Sequence, residues 1–382
     1  MQILYLHQFF ITRAGVGGTR SYEFARRFVA RGHRVRMVTA GSGQSSVDGI
    51  DVVGVPGAYS DYVSATSRGD RERMLAFGRF AAGATAAAVR GPRPDVVYAT
   101  SPPLTIAGPA LAAAARWRAP LVFEVRDLWP DAPIQMGALQ SPRLQARARA
   151  LERQAYLRAR RVIALSPGIR AGVIATGVPE GKVVLVPNAS DLDLFQPEPL
   201  PSAGEPFTVS YFGTMGEAND LSMAVEAARR LPDMSFVLMG DGKRRLELEA
   251  AAPPNVTFPG PAGRKEEVAA LAARSSVCLT LFKDVPVLAS NSPNKLFDTF
   301  AAGRPAIVNM DGWMRELVED NDAGMYVRAG DAGDLAQKLS WLRAHPEEVA
   351  RMGRNGRALA EREFDRDLLA GRVLDVLEEV AR

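Results

Sequence analysis

Residues 2–40, QILYLHQFFITRAGVGGTRSYEFARRFVARGHRVRMVTA, decide the fold class. Gln2–His7 alternates weakly and reads as a strand. Phe9–Thr19 is a loop containing Gly15, Gly17 and Gly18. Arg20–Arg31 is helical and closed by Gly32, and His33–Ala40 is a second strand. Strand, glycine loop, helix, strand is how a doubly wound α/β domain opens. The glycines are no GxGxxG match: Gly15-Val16-Gly17-Gly18 has the wrong spacing, and no ribose-binding acid follows the second strand. Nucleotide-linked oxidoreduction is therefore disfavoured. Gly17 and Gly18 either let a substrate touch bare backbone at the helix start or make a tight turn with no ligand.

The alternation continues down the chain. Strand Asp95–Thr100 is followed by the break Ser101-Pro102-Pro103 and a small-residue helix to Trp117. Strand Pro120–Val125 then runs into Arg126-Asp127-Leu128-Trp129-Pro130-Asp131. Ligands of open α/β sheets bind outside the carboxyl ends of strands, which makes Arg126 and Asp127 site candidates. The competing reading is an internal Arg–carboxylate brace, above all for Glu124. An Arg-rich helix covers Arg143–Arg160, and strands Arg161–Leu165 and Val183–Pro187 follow. Gln196–Pro206 is proline-rich, polar and aperiodic, a linker. The pattern then restarts with strand Phe207–Phe212, the glycine turn Gly213-Thr214-Met215-Gly216 and helix Asp220–Leu231. Strand Ser235–Met239 ends in Gly240-Asp241-Gly242-Lys243. Further strands are Val256–Phe258, Ser276–Phe282, Ala306–Asn309 and Met325–Val327, and two helices fill Asp331–Arg382. Two βα domains of this kind enclose a cleft between their strand ends.

Ser290–Pro305, SNSPNKLFDTFAAGRP, is a loop that turns directly into a helix. Ser292 stands at the cap position and Pro293 at the first helical position. Leu296, Phe297 and Phe300 give an apolar side, and Gly303 with Pro305 ends the helix. A helix start suits an anion, and Lys295 in its first turn adds a positive charge that costs stability there unless an anion answers it. Asp298 faces the same way as Asn294 and Lys295. That set suits a diphosphate held against a ribose; an ordinary capped helix with a solvated Lys-Asp face fits equally.

The chain's 382 residues, 47% hydrophobic and 24% charged, match an ordinary globular protein of two domains. No apolar run is long enough to cross a bilayer, and no basic-then-apolar signal segment opens the chain. Cys278, the single cysteine, lies in an apolar strand pattern and suits core packing. A cytoplasmic location follows. The net charge of +4 hides an asymmetry: residues 1–200 carry 25 Lys/Arg against 15 Asp/Glu, and the remainder 22 against 28. The basic half suggests an anionic partner, but its aromatics are not interleaved as nucleic-acid binding needs. Ser64–Arg90, with Arg68, Arg71, Arg73 and Arg79 among Met74, Leu75, Phe77 and Phe80, is either a surface helix or one resting on an anionic membrane.

Taken together, Gly17-Gly18, Ser101-Pro102-Pro103, FEVRDLWPDA (123–132), Ser166, VPNASDLDLF (186–195), YFGTMG, GDGKRR and SPNKLFDTFAAGRP resemble a family 4 glycosyltransferase of the GT-B fold. The nearest branch is that of bacterial surface-polysaccharide enzymes typified by N-acetyl-fucosamine transferases. The ordered set is specific although each motif alone is weak. The resemblance implies an α/β GT-B fold of two Rossmann-like domains: 1–195 facing the acceptor, 196–206 as linker, 207–363 holding the donor, and the helix from about 364 to 382 crossing back. It implies retaining transfer from a nucleoside diphosphate sugar, with no cofactor and no essential metal. The branch suggests uridine, an N-acetylated hexose, and a glycan, lipid-linked or small-molecule acceptor. Peripheral contact with an anionic membrane is left open, and nucleic acid is not expected.

The motif positions carry over unevenly. Many members have two glutamates eight apart in the donor loop. The second, on ribose hydroxyls, aligns with Asp298, and the first, on the donor sugar, with Ser290. Gly213-Thr214 stands where many members carry a diphosphate-binding Arg, which leaves Lys295, helped by Lys243 or Arg244 beside Gly242, to supply the charge. Gly260-Pro261 lies along the base. Arg126 and Asp127 occupy the acceptor-facing spot, where Asp127 orients the acceptor or acts as base. Gly17-Gly18 forms the acceptor or phosphate loop. Two other readings remain: a sugar-nucleotide epimerase, short of histidines here with only His7, His33 and His345, and a nucleotide-sugar-binding scaffold without turnover.

Overall fold

The computed structural model describes residues 1–15, 17–57, 59, 70–200 and 204–382. The expected basic segment from Ser64 lies partly outside these, including Arg68; its described part is the helix Asp70–Arg90. The side chains of Arg71 and Arg73 are likewise outside the described residues.

Two sheets carry the architecture. The first comprises β1 (Gln2–Leu6), β2 (Arg34–Ala40), β3 (Gln44–Val47), β4 (Ile50–Val55), β5 (Val96–Ser101), β6 (Leu121–Val125), β7 (Arg161–Ala164) and β8 (Val183–Leu185). Their order is β3-β4-β2-β1-β5-β6-β7-β8, parallel except for β3. The second comprises β9 (Thr208–Phe212), β10 (Ser235–Met239), β11 (Val256–Gly260), β12 (Val277–Thr280), β13 (Ala306–Val308) and β14 (Gly324–Tyr326), in the order β11-β10-β9-β12-β13-β14. Strand order reverses at β1/β5 and again at β9/β12, so each domain has one switch point where ligands of such sheets bind. Every residue of β5 and β6 is buried, which is why these strands read as mostly apolar, with Thr100, Ser101 and Glu124 as the polar exceptions.

The β3–β4 hairpin had no expectation in the sequence reading. Gln44-Ser-Ser-Val47 is a polar edge strand, and Asp48 and Gly49 turn the chain with φ of +49° and +78°. Asp-Gly with both φ positive is the favoured two-residue hairpin turn, so the signal was present in the letters.

Three helices close the chain where two were expected: Ala332–Ala344, Pro346–Glu363 and Arg366–Ala381. Pro346 cannot continue a helix, so the break falls before it. The last helix lies against Arg20–Ala30 of the first domain. His33 meets Glu378 at 3.2 Å, and Arg27 and Arg161 pair with Asp367 and Glu379. Buried Arg366 meets Asp191 at 3.2 Å, beside backbone bonds Ser190 N to Phe364 O and Arg366 N to Ser190 O, each 3.0 Å.

Candidate active site between the two domains

The helix Asn294–Ala301 positions the central group. Leu296, Phe297 and Phe300 are fully buried, with the Phe297 ring 4.6 Å from that of Phe364. The helix start differs from the sequence expectation. Pro293 precedes the first turn, and Ser292 does not cap it. The Ser292 hydroxyl instead accepts from the Asn188 amide at 3.1 Å, and its carbonyl accepts from Asn188 Nδ2 at 2.5 Å. That contact ties the helix to the first domain. It also leaves the amides of Asn294 and Lys295 with no partner among the described residues.

Lys295 projects from this start onto the end of β9. Its ammonium donates to Tyr211 Oη at 2.7 Å and Asn219 Oδ1 at 3.2 Å and lies 4.1 Å from the Tyr211 ring centroid. A β-carbon added to Gly213 would stand 3.2 Å from Nζ, so the glycine turn and the lysine are neighbours. Tyr211 Oη passes the chain on to Thr214 O at 2.6 Å. No carboxylate pairs with Lys295 among the described residues, and burial pushes its pKa down to about 7. A half-buried cation held only by neutral groups is poised for an anion.

Of the first-domain candidates, Gly17, Gly18 and Arg126 come to the same place. A β-carbon on Gly18 would meet Arg126 Nη2 at 3.0 Å and Asn294 Nδ2 at 3.6 Å, which puts the glycine loop, Arg126 and the helix start in one cleft. Gly17 holds φ +141° beside it. Arg126 Nη1 lies 3.5 Å from Nε2 of buried His7, whose Nδ1 is 2.9 Å from Ser21 Oγ. Burial, then Arg126, holds His7 well below its ordinary pKa, so the ring is neutral. Asp127 has no hydrogen-bond or ion-pair partner among the described residues, and burial raises its carboxyl above the ordinary aspartate range. The internal brace is elsewhere: Glu124 pairs with Arg20 at 2.9 Å and accepts from Tyr98 at 2.5 Å and Thr100 at 2.8 Å, all buried.

Other expectations need correcting. Asp298 is 2% exposed, not open to a ribose. Its oxygens accept from Ser190 Oγ at 2.8 Å and Lys265 Nζ at 2.9 Å, which makes it a bond between the domains. Ser290 is likewise turned to the first domain: Ser166 Oγ donates to its carbonyl, and a β-carbon on Gly168 would stand 2.8 Å from its own. Gly242 is explained by packing, since a β-carbon there would press the Met215 carbonyl at 2.5 Å. Lys243 is exposed and free among the described residues, whereas Arg244 is taken by Glu247 at 2.7 Å and Ser222 at 2.9 Å. Gly260 ends β11, its carbonyl accepting from Gly240 at 2.9 Å, and Pro261 is exposed beside it. Replacing Asp298 by Ala leaves the Lys265 ammonium, 9% exposed, without its carboxylate. A loss of about 3 kcal/mol in urea unfolding is expected, largely recovered in the Asp298→Ala/Lys265→Met double variant.

The sequence reading missed His7, Tyr211 and Asn219. His7 and Tyr211 stand at or near the carboxyl ends of β1 and β9, the strands beside the two switch points, and that position was the available signal. Among the described residues no group of three or more His, Cys, Asp or Glu is placed to hold a metal ion, and no helix is long and apolar enough to cross a membrane.

Two family models match the chain: the glycosyl transferase 4-like domain over residues 16–189 and glycosyl transferases group 1 over residues 206–345. The chain belongs to the family 4 glycosyltransferases of the GT-B fold, which these two models describe half by half. It is similar, at 24% identity over 216 residues, to Escherichia coli K12 WcaL, whose name assigns it provisionally to colanic acid biosynthesis as a glycosyltransferase. The match takes in 53% of this chain and 52% of WcaL, so the chain spans about half the length of that curated relative. Among solved structures, a sucrose-phosphate synthase from Thermosynechococcus elongatus superposes with a TM-score of 0.79 at 18% identity, over 99% of this chain and 98% of that one. HepE of Anabaena, solved in complex with UDP-glucose, gives 0.72 at 18% identity over 99% and 100%. These likenesses establish the shared fold.

Proposed function

We propose that the protein transfers a sugar from a nucleoside diphosphate sugar to an acceptor hydroxyl, with retention of anomeric configuration. The observation that carries this is Lys295: a half-buried cation with no acid partner among the described residues, beside Gly213 at a helix start whose first amides are open and whose Asn294 faces Gly18 and Arg126 across the cleft. In the proposed reaction the bond from the anomeric carbon to the diphosphate oxygen breaks and negative charge grows on the leaving group. Lys295 and the amides of Asn294 and Lys295 answer that charge more strongly as it develops, which lowers the barrier. The acceptor hydroxyl bonds to the same face, and its proton passes to the departing phosphate oxygen, so no strong base is required. Asp127 orients the acceptor hydroxyl and Arg126 steadies its anionic or polar groups.

The finer reading is a UDP-linked N-acetylated hexose passed to a glycan, lipid-linked or small-molecule acceptor at a cytoplasmic site, independently of metal. It rests on the branch the motifs resemble. UDP-glucose in the similar fold of HepE supports the nucleotide part. The test is release of nucleoside diphosphate from a panel of UDP-, GDP-, ADP- and TDP-sugars, with and without chelator. Asp127→Asn is expected to cut transfer to acceptor about a hundredfold. Near-full turnover at unchanged acceptor KM would remove Asp127 from the reaction.

A further inference from the structure

The amino-terminal edge of the first sheet lies at the other end of the strands from the cleft. Strand register sets three segments side by side there: β6 pairs with β7, Val122 opposite Arg161, and β7 with β8, Val162 opposite Val183. Just ahead of these strands stand Arg116 and Arg118, then Arg158 and Arg160, then Lys182. The four arginines are exposed. Among the described residues none of the five pairs with an acid: Arg116 lies 4.3 Å over the Trp117 ring, and Lys182 donates to Leu157 O at 2.7 Å. The acids nearby are engaged, Glu379 with Arg161 and Glu180 with Arg170 at 2.8 Å. Crowding is felt at Lys182, whose pKa is lowered by burial and then by Arg160 and Arg161. Between the segments runs an open groove of about 710 Å³ with Ala114, Pro120 and Leu121 in its wall and Leu157, 40% exposed, in its lining.

Like charges gathered by the register of a sheet repel, and an anion relieves the repulsion. We propose that this pole is a second anion site, distinct from the cleft, that takes clustered phosphate groups. Guanidinium forks match phosphate oxygens two at a time, and the open groove lets several phosphates approach together. The headgroups of an anionic bilayer supply that chemistry, with Leu157 entering the interface; a free oligophosphate supplies it too. The site does not depend on the transfer reaction proposed for the cleft.

Two measurements on the full chain test it, each with wild type and Arg158→Ser/Arg160→Ser. The first is co-sedimentation with phosphatidylglycerol-containing vesicles against phosphatidylcholine alone. The second is hydrogen-exchange protection of residues 116–120 and 158–161 by inorganic pyrophosphate. Vesicle binding that weakens about thirtyfold in the double variant, at roughly a tenfold factor or less per arginine, identifies the bilayer as the source. Pyrophosphate protection without vesicle binding, lost in the variant, identifies a free phosphate ligand. Neither response, or one unchanged in the variant, overturns the proposal. Melting with and without UDP is recorded for the same variant. Loss of the UDP response in wild type counts against the cleft reading alone.

Discussion

Lys295→Ala is expected to lower turnover about a hundredfold, roughly 3 kcal/mol of lost stabilisation of the leaving diphosphate. The expectation follows from what surrounds the ammonium: a tyrosine hydroxyl, an asparagine oxygen and an aromatic face, with no carboxylate. Burial brings the free protein's Lys295 down to about 7. An arriving diphosphate favours the charged form and pulls that value up again. Binding above pH ~7 therefore takes up a proton, and affinity falls as pH rises through the titration of the free lysine. Calorimetry in buffers of different ionisation heat reads the uptake directly; in Lys295→Ala it is expected to vanish.

The same residue carries a stability cost of opposite sense. Its folded pKa lies below the ordinary 10.5, so the unfolded chain binds the extra proton between about 7 and 10.5. Stability from this group rises with pH across that window, and the penalty is complete below it. Lys295→Met is expected to melt higher than wild type near pH ~6 without ligand, while losing the donor. A lysine that weakens the empty protein and is needed with the donor present marks a binding group. An ordinary surface helix residue would show neither effect.

Arg20→Met is expected to lower stability by about 3–5 kcal/mol, the largest effect on folding among these variants. Arg20 and Glu124 are both fully buried, and Arg20 also donates to the carbonyls of Pro187 at 2.6 Å and Val186 at 3.1 Å. Burial pushes the Glu124 carboxyl up, but Arg20 and the Tyr98 hydroxyl more than offset this and hold it below its ordinary value. Its contribution is thus present at neutral pH and lost as pH falls through the depressed pKa. Without Arg20 the carboxylate keeps only Tyr98 and Thr100. The first transition in urea is expected to shift to lower concentration, and Arg20→Met/Glu124→Gln to regain part of the loss. A shift below 1 kcal/mol would show that the pair contributes little.

The βα alternation was legible because fully buried parallel strands and amphipathic helices leave different periods in the letters. Strand ends differ from the expected ones by at most two residues, and the cores lie where the apolar runs place them. Lys295 was legible too, because a cation in the first turn of a helix is out of place without an anion. Asp298 was not. Helical spacing placed it near Lys295, but spacing carries no information on Ser190 and Lys265, which reach it from 108 and 33 residues away. Ser292 failed for the same reason: as a local cap it competes with Asn188, 104 residues distant, and the tertiary partner wins. His7 is legible from its place beside the switch point, which a count of histidines does not carry.

The most direct measurement is a thermal-shift screen against UDP, GDP, ADP and TDP without added metal, on wild type and Lys295→Ala. A diphosphate at a hundredfold over its Kd adds about 2.7 kcal/mol to the folded state and raises the melting temperature visibly. One nucleoside diphosphate is expected to do so in wild type and to lose the effect in Lys295→Ala. No shift with any of the four, or an equal shift in the variant, would contradict the donor site placed at Lys295.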